Sequence, residues 1–307
     1  TTTRAPTARL GYWTDRLSLE QIESVAFAPM RWGNDVFGVV MVASRDLQSA
    51  DWVANELPML SEVASFGAVL IGSQAEKEHW NADFATEIHD VIRERRFHPV
   101  FQPIVDLISG DVVGYEALTR FDDGVRPDWK IRDAWLAGVG MELEVAIASA
   151  ALETAAELLP PHLHVSLNFS PETILAGAAE RLVRDAERTV LVEVTEHTPI
   201  EDYVTLRESL DRCGQRVKVS VDDAGAGFAS LRHILELEPD VVKLDIALIR
   251  GIDHDPARQA LAAGLSHYAR DTGTLLIAEG VETSAEAEAV RRLGVHWGQG
   301  YYFGRPT

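Results

Sequence analysis

Seven short apolar runs between residues 112 and 302 each end in a polar side chain able to bind a metal or move a proton. In chain order, VVGYEAL carries Glu116, HVSLNFS carries Asn168, LVEVTE carries Glu193 and Glu196, and VKVSVDD carries Asp222 and Asp223. VVKLD then supplies Lys243, LLIAEGVE supplies Glu279 and Glu282, and WGQGYYF supplies Gln299. Apolar runs of this length, bounded by turn residues, read as buried strands. A chain that keeps placing chemistry at the C-terminal ends of such strands is confined to few folds. The strands have to lie parallel, close on themselves and share one rim.

Eight strands are predicted, around residues 98–105, 112–119, 164–169, 190–195, 217–222, 241–245, 274–279 and 296–302. Most are separated by enough chain for a crossover helix, such as IASAALETAAELL or ARQALAAGLSHYAR. The first connection, through Ser109, Gly110 and Asp111, has only hairpin length, whereas a parallel crossover needs a dozen residues or more. The expected fold class is therefore α/β: a TIM-type (β/α)8 barrel over residues 98–307 with an antiparallel first strand. Residues 1–75 read as a small α+β segment, with strands SVAFAPM and VFGVVMVAS joined by a turn at Gly33, Asn34 and Asp35. A helix start is expected at Ser49 or Asp51. The helical spacing from Trp52 resumes through a helical linker at 76–97. An apolar helix stripe with too little partner sequence predicts a homodimer formed through these helices.

Composition excludes several classes. A formal charge of −20 argues against binding polymeric nucleic acid, which needs a basic face. Cys213 is the only cysteine, so no disulfide framework or cysteine-rich zinc site is available, and a reducing, cytoplasmic compartment is expected. No signal-peptide pattern opens the chain, and no apolar run approaches the roughly 20 residues of a membrane helix. The ten histidines show no metal-ligand spacing. The aromatic residues at 297–302 read as barrel-closing core rather than as a base-stacking platform.

The strand-end cluster of Glu116, Asn168, Glu193, Asp222, Asp223 and Glu279 offers oxygen donors only, which selects Mg²⁺ or Mn²⁺. So many carboxylates around one cavity repel one another unless cations neutralise them. The adjacent Asp222 and Asp223 suit two metals, one bridging and one binding the second ion, which is the usual apparatus of phosphodiester hydrolysis. Lys243 could orient or help deprotonate a water, Glu279 could accept its proton, and Arg120 is a candidate phosphate fork. A single glutamate at a strand end is usually a loop residue, and Lys243 could simply pair with Asp245 across the barrel mouth. Six such ends in succession favour a shared site. Metal-assisted proton abstraction of the enolase type is a rival on the barrel alone. The extra Asn168, the Asp222–Asp223 pair and the antiparallel first strand count against it.

FQPIVD at 101–106, GYEALTRF at 114–121, SLNFS at 166–170, VEVTE at 192–196, DDAGAG at 222–227, VKLD at 242–245, AEGVE at 278–282 and QGYYFGRP at 299–306 follow one another in order. This series resembles the EAL domains, which hydrolyse cyclic di-GMP. The resemblance implies an Mg²⁺- or Mn²⁺-dependent phosphodiesterase with two ions per site, opening cyclic di-GMP to linear pGpG. It implies that Glu116, Asn168, Glu193 and Asp222 bind the first metal and that Asp222 and Asp223 hold the second. By the same resemblance Lys243 and Glu279 act on the water with Gln299 beside them. Gln102 and Arg120 touch substrate, and Glu196 anchors the loop after Asp223. The alternative within the family is a non-hydrolysing cyclic di-GMP receptor. Two departures stand out: the DDFGTG loop is DDAGAG here, with Ala224 and Ala226, and the final helix of the family is lacking, which predicts weaker barrel closure. Residues 1–75 resemble the C-terminal half of a GAF sensory domain; a packing and dimerisation element is the competing reading.

Overall fold

The computed structural model describes residues 24–32, 35–44, 57–195, 200, 202–224 and 228–307. The chain divides into two compact units, Thr1–Asp83 and Phe84–Thr307. In the first, β1 (Ser24–Trp32) pairs antiparallel with β2 (Asp35–Ser44). Strand alternation turns Ala26 and Ala28 to one side, where they are buried with Leu60 and Ala64, and leaves Phe27 exposed on the other. Leu60 and Ala64 belong to α1 (Leu57–Glu94), which continues into the second unit. The predicted turn residues Gly33 and Asn34, and the helix start at Ser49 or Asp51, lie outside the described residues.

The second unit is a closed eight-stranded barrel. Its strands are β3 (Phe97–Asp106), β4 (Val112–Phe121), β5 (His164–Phe169), β6 (Val190–Val194), β7 (Val217–Ala224), β8 (Val241–Leu244), β9 (Leu275–Ala278) and β10 (Trp297–Gln299), in the order β10-β3-β4-β5-β6-β7-β8-β9. β3 runs antiparallel to both neighbours and every other pair is parallel, as the short first connection predicts. That hairpin is closed by the Asp106 carboxylate, which accepts the amides of Ile108 and Ser109 at 2.8 Å each. Gly110 takes a φ of 79° there, a left-handed conformation that suits glycine. The longer links carry helices α2 (Pro127–Leu136), α3 (Gly140–Leu158), α4 (Pro171–Leu175), α5 (Ala178–Val183), α6 (Tyr203–Asp211), α7 (Phe228–Leu237), α8 (Ile246–Ile249), α9 (Pro256–Thr272) and α10 (Ser284–Arg292).

Helices cover the outer face, so the parallel strands are buried on both sides; every residue of β6 and β8 is buried. Inside the barrel, Ile104, Leu191, Val241 and Ile277 form an apolar floor. Residues two apart on a strand share a face, so Glu193 on β6, Lys243 on β8 and Glu279 just past the end of β9 stand one step above Leu191, Val241 and Ile277. The period that dries the floor therefore also aims the polar groups into the mouth.

Two features depart from the sequence reading. Barrel closure is complete: the Phe101 amide donates to the Thr307 carbonyl at 2.9 Å and the Thr307 amide returns a bond at 3.2 Å, so Thr307 braces β3. The barrel unit also takes in the last turns of α1, where Ile88 and Val91 are buried against Phe97, Phe121 and Leu143. Among the described residues no helix is long and apolar enough to cross a membrane.

Candidate active site

The centre of the site is a buried lysine. Lys243 is 1% exposed, and its ammonium lies 2.7 Å from Glu279, 2.8 Å from Glu193, 3.4 Å from Asp222 and 3.7 Å from Glu116. Burial alone works against this cation, but the carboxylates of Asp222, Glu116, Glu193 and Glu279 outweigh it and hold its pKa well above the usual lysine value. Burial pushes Glu193 and Glu279 upward from the ordinary carboxylate range; Lys243 opposes the shift, and Asp222 and Glu116 reinforce it. Asp245, the competing partner for Lys243, instead accepts the Ala247 amide at 2.7 Å as the N-cap of α8.

An amide relay flanks the cluster. Asn168 Nδ2 donates to Glu116 Oε1 at 3.2 Å, and Gln299 Nε2 donates to Glu116 Oε2. Gln299 Nε2 also reaches Gln102 Oε1 at 3.2 Å, while Gln102 Nε2 donates to the Gly304 carbonyl at 3.2 Å. Together Gln102, Glu116, Glu279 and Gln299 line a cavity of about 360 Å³ that opens at the barrel mouth. Glu193 Oε1 and Gln299 Oε1 are buried without a hydrogen-bond partner.

Four carboxylates facing one ammonium, a buried oxygen left unpaired and an all-oxygen donor set fit a hard divalent cation. Among the described residues no three His, Cys, Asp or Glu side chains are grouped to hold an ion; Glu193 and Glu279 close on Lys243. The register of β7 against β8 shifts between Val221 and Ala224, so Asp222 and Asp223 fall in a break of the ladder. The side chain of Asp223, and the whole of Glu196 and Ala226, lie outside the described residues.

The structure thus brings together Glu116, Asn168, Glu193, Asp222, Lys243, Glu279, Gln299 and Gln102. It does not bring in Arg120, which is exposed at the end of β4 and donates to the neighbouring Thr119 carbonyl at 2.8 Å. Glu282 pairs with Arg250, although it also borders the cavity. The aromatic residues at 297–302 separate into two groups. Trp297 is half-buried and stacks on His164 with centroids 5.1 Å apart. Tyr301 and Tyr302 are 53% and 48% exposed, and Tyr301 lines the cavity, so these two are not core. The signal for this was Gly300, which ends the alternation of β10.

Residues 85–306 match the EAL domain family, and the chain belongs to it. Its curated relatives include the probable cyclic di-GMP phosphodiesterase PdeB of Escherichia coli K12, 28% identical over 232 residues that cover 71% of this chain and 44% of PdeB. The cyclic di-GMP phosphodiesterase PdeL of the same organism is 29% identical over 70% of this chain and 64% of its own length. This chain therefore spans less than two thirds of either relative. Among solved structures, an EAL domain protein from Listeria monocytogenes EGD-e superposes with a TM-score of 0.64 at 26% identity, covering 72% of this chain and 92% of that one. Klebsiella pneumoniae BlrP1, in a manganese and cyclic di-GMP complex, gives 0.61 at 28% identity over 69% and 56%.

Proposed function

We propose that this chain is a phosphodiesterase that hydrolyses cyclic di-GMP to linear pGpG with two divalent cations, Mg²⁺ or Mn²⁺. The observation that carries this reading is the convergence of Glu116, Glu193, Asp222 and Glu279 on buried Lys243 at the barrel mouth. The family's relatives named for this activity support it. Glu116, Asn168, Glu193 and Asp222 would hold the first ion, and Asp222 with Asp223 the second. Such ions would neutralise charge on the phosphodiester and make a water easier to deprotonate into the attacking nucleophile.

The remaining steps belong to the side chains. Lys243 donates a hydrogen bond to the attacking water and draws its oxygen toward the phosphorus. Glu279, whose carboxylate is already raised in pKa, takes the proton. The new bond joins water oxygen to phosphorus, the bond from phosphorus to the 3′ oxygen breaks, and that oxygen leaves with the proton that Glu279 had accepted. Gln299 and Gln102 fix the Glu116 carboxylate through their amide relay. Arg120 turns from the Thr119 carbonyl to a substrate phosphate, and Glu196 anchors the loop after Asp223. In this reading residues 98–307 form the catalytic barrel, 76–97 a helical linker, and 1–75 a partial GAF-like segment through which a cytoplasmic homodimer assembles.

Incubating the protein with cyclic di-GMP and Mg²⁺ or Mn²⁺, with EDTA in a parallel tube, and resolving the products by chromatography tests the reading. Linear pGpG in the metal tubes alone is the expected result. Intact dinucleotide bound to the protein in every tube would make the chain a receptor instead.

A further inference from the structure

Glu144 lies on the buried face of α3, 8% exposed, and four neutral donors converge on its carboxylate. The Trp135 indole Nε1 donates to Oε1 at 3.0 Å. The Ser170 amide, the Ser170 hydroxyl and the Thr173 hydroxyl donate to Oε2, at 3.1, 2.8 and 2.6 Å. The local sequence prepares this contact. A Cβ at Gly140 would lie 2.3 Å from the Trp135 ring, so glycine lets the indole rest on the first turn of α3. Glu144 stands one turn further along the same face, within reach of the indole nitrogen. The nearby buried positions of that helix are apolar, among them Leu143, Ala148 and Ala151. An acid set among them loses its hydration, and hydrogen bonds aimed at it offset that cost.

The bonds are aimed at one place. Ser170 follows Asn168 by two residues, where the chain leaves β5. Phe169 between them is 0% exposed, and its carbonyl accepts the Thr195 amide at 3.1 Å. Asn168 is the neutral member of the ligand set proposed above for the first ion. A carboxylate is drawn to a cation by its charge, whereas an amide oxygen offers only a dipole and depends on where the backbone puts it. We propose that Glu144 is a positioning residue for the first metal site. Through Ser170 it fixes the end of β5 and so holds the Asn168 carboxamide beside Glu116. It acts through the backbone and touches neither ion nor substrate. The inference rests on the phosphodiesterase reading and extends it to a residue outside the cavity.

Mn²⁺ titration of the full chain, read by the EPR signal of free Mn²⁺, tests this beside thermal unfolding of the metal-free protein. Wild type, Glu144→Leu, Glu144→Gln and Ser170→Ala are compared. Partners that orient metal ligands typically carry about 10-fold to 100-fold in metal affinity, and Glu144→Leu is expected to lose that much. Glu144→Gln keeps an oxygen for Ser170 and Thr173 and should recover most of the loss. Ser170→Ala removes one bond but leaves the backbone amide on Glu144, so it should fold and weaken Mn²⁺ by a smaller factor. A structural tie alone would lower the melting temperature and leave Mn²⁺ affinity unchanged in the folded variants, and that result overturns the proposal. Should Glu144→Leu fail to fold, Ser170→Ala decides in its place. Wild type that binds no Mn²⁺ would sink the parent reading, a result distinct from a wild type that binds metal and variants that bind it equally well.

Discussion

At the scale of single residues, Lys243 is a buried ammonium faced by four carboxylates. Replacing it by Met leaves Glu193 and Glu279 buried without their nearest cation, and breaking a buried pair this way typically costs about 3–5 kcal/mol. Lys243→Met should therefore melt earlier, and Mn²⁺ should restore part of the loss because a cation again faces the carboxylates. Turnover should stay down by roughly 10² or more even with metal, while cyclic di-GMP affinity moves much less. Thermal unfolding with and without Mn²⁺, beside a nucleotide titration, reads both effects; affinity collapsing in step with rate would reduce Lys243 to a structural ion pair. A second residue sits below the floor of the site. Burial pushes the His164 imidazole down from 6.5 to about 4. Between those values the unfolded chain takes up a proton that the folded chain refuses. The stability tied to neutral His164 is thus complete above pH 6.5 and lost as pH falls toward 4, by about 3 kcal/mol in all. His164→Phe keeps a ring where one packs against Gly114 and should flatten the acid slope of unfolding free energy; an unaltered slope would show that the imidazole is protonated in the fold. The positions of Glu116, Glu193, Asp222 and Lys243 were legible from strand ends alone, because period-two alternation fixes which side of a barrel strand faces inward. The choice of Lys243's partners was not, since sequence spacing left neighbouring Asp245 as a competing partner while the strand register delivered four carboxylates from elsewhere.

At the scale of elements, the antiparallel β3 was readable because its connection to β4 is too short for any crossover. The reach of α1 was not readable, because its helical spacing runs through residue 83 without a break. Ile88 and Val91 are 0% and 1% exposed within the barrel unit, each contributing about 2 kcal/mol by burial, so the unit needs them. A chain beginning at Phe84 should fold with its barrel intact, whereas one beginning at His98 should lose several kcal/mol in denaturant unfolding; equal stability of the two would contradict this packing. Earlier in α1, Met59, Val63 and Phe66 are exposed at spacings of four and three residues, an apolar stripe of the kind that marks an interface. In the homodimer reading, removal of residues 1–83 shifts the protein toward monomer and lowers activity while every metal ligand remains. Sedimentation of that truncation as a dimer with undiminished turnover would make the segment a bystander.

At the scale of the whole molecule, the barrel concentrates charge of one sign where the fold would otherwise avoid it. Apolar side chains fill the floor and much of the outer layer, and carboxylates, amides and a lysine gather at the mouth. The architecture was legible because each strand announces its own end; the closing contact of Thr307 on Phe101 was not, since three residues of β10 give no periodicity to read. The exposed Tyr301 was missed for the same reason, as a turn governed by Gly300 obeys neither strand nor helix spacing. The account stands or falls on whether the cluster around Lys243 is a metal-dependent hydrolytic centre. Turnover of cyclic di-GMP measured against increasing Mn²⁺, for wild type and Glu116→Ala at matched folding, tests that most directly. The account predicts product that rises with Mn²⁺ in wild type and none at any Mn²⁺ concentration in the variant; product formed in EDTA, or a variant within a few-fold of wild type, would contradict it.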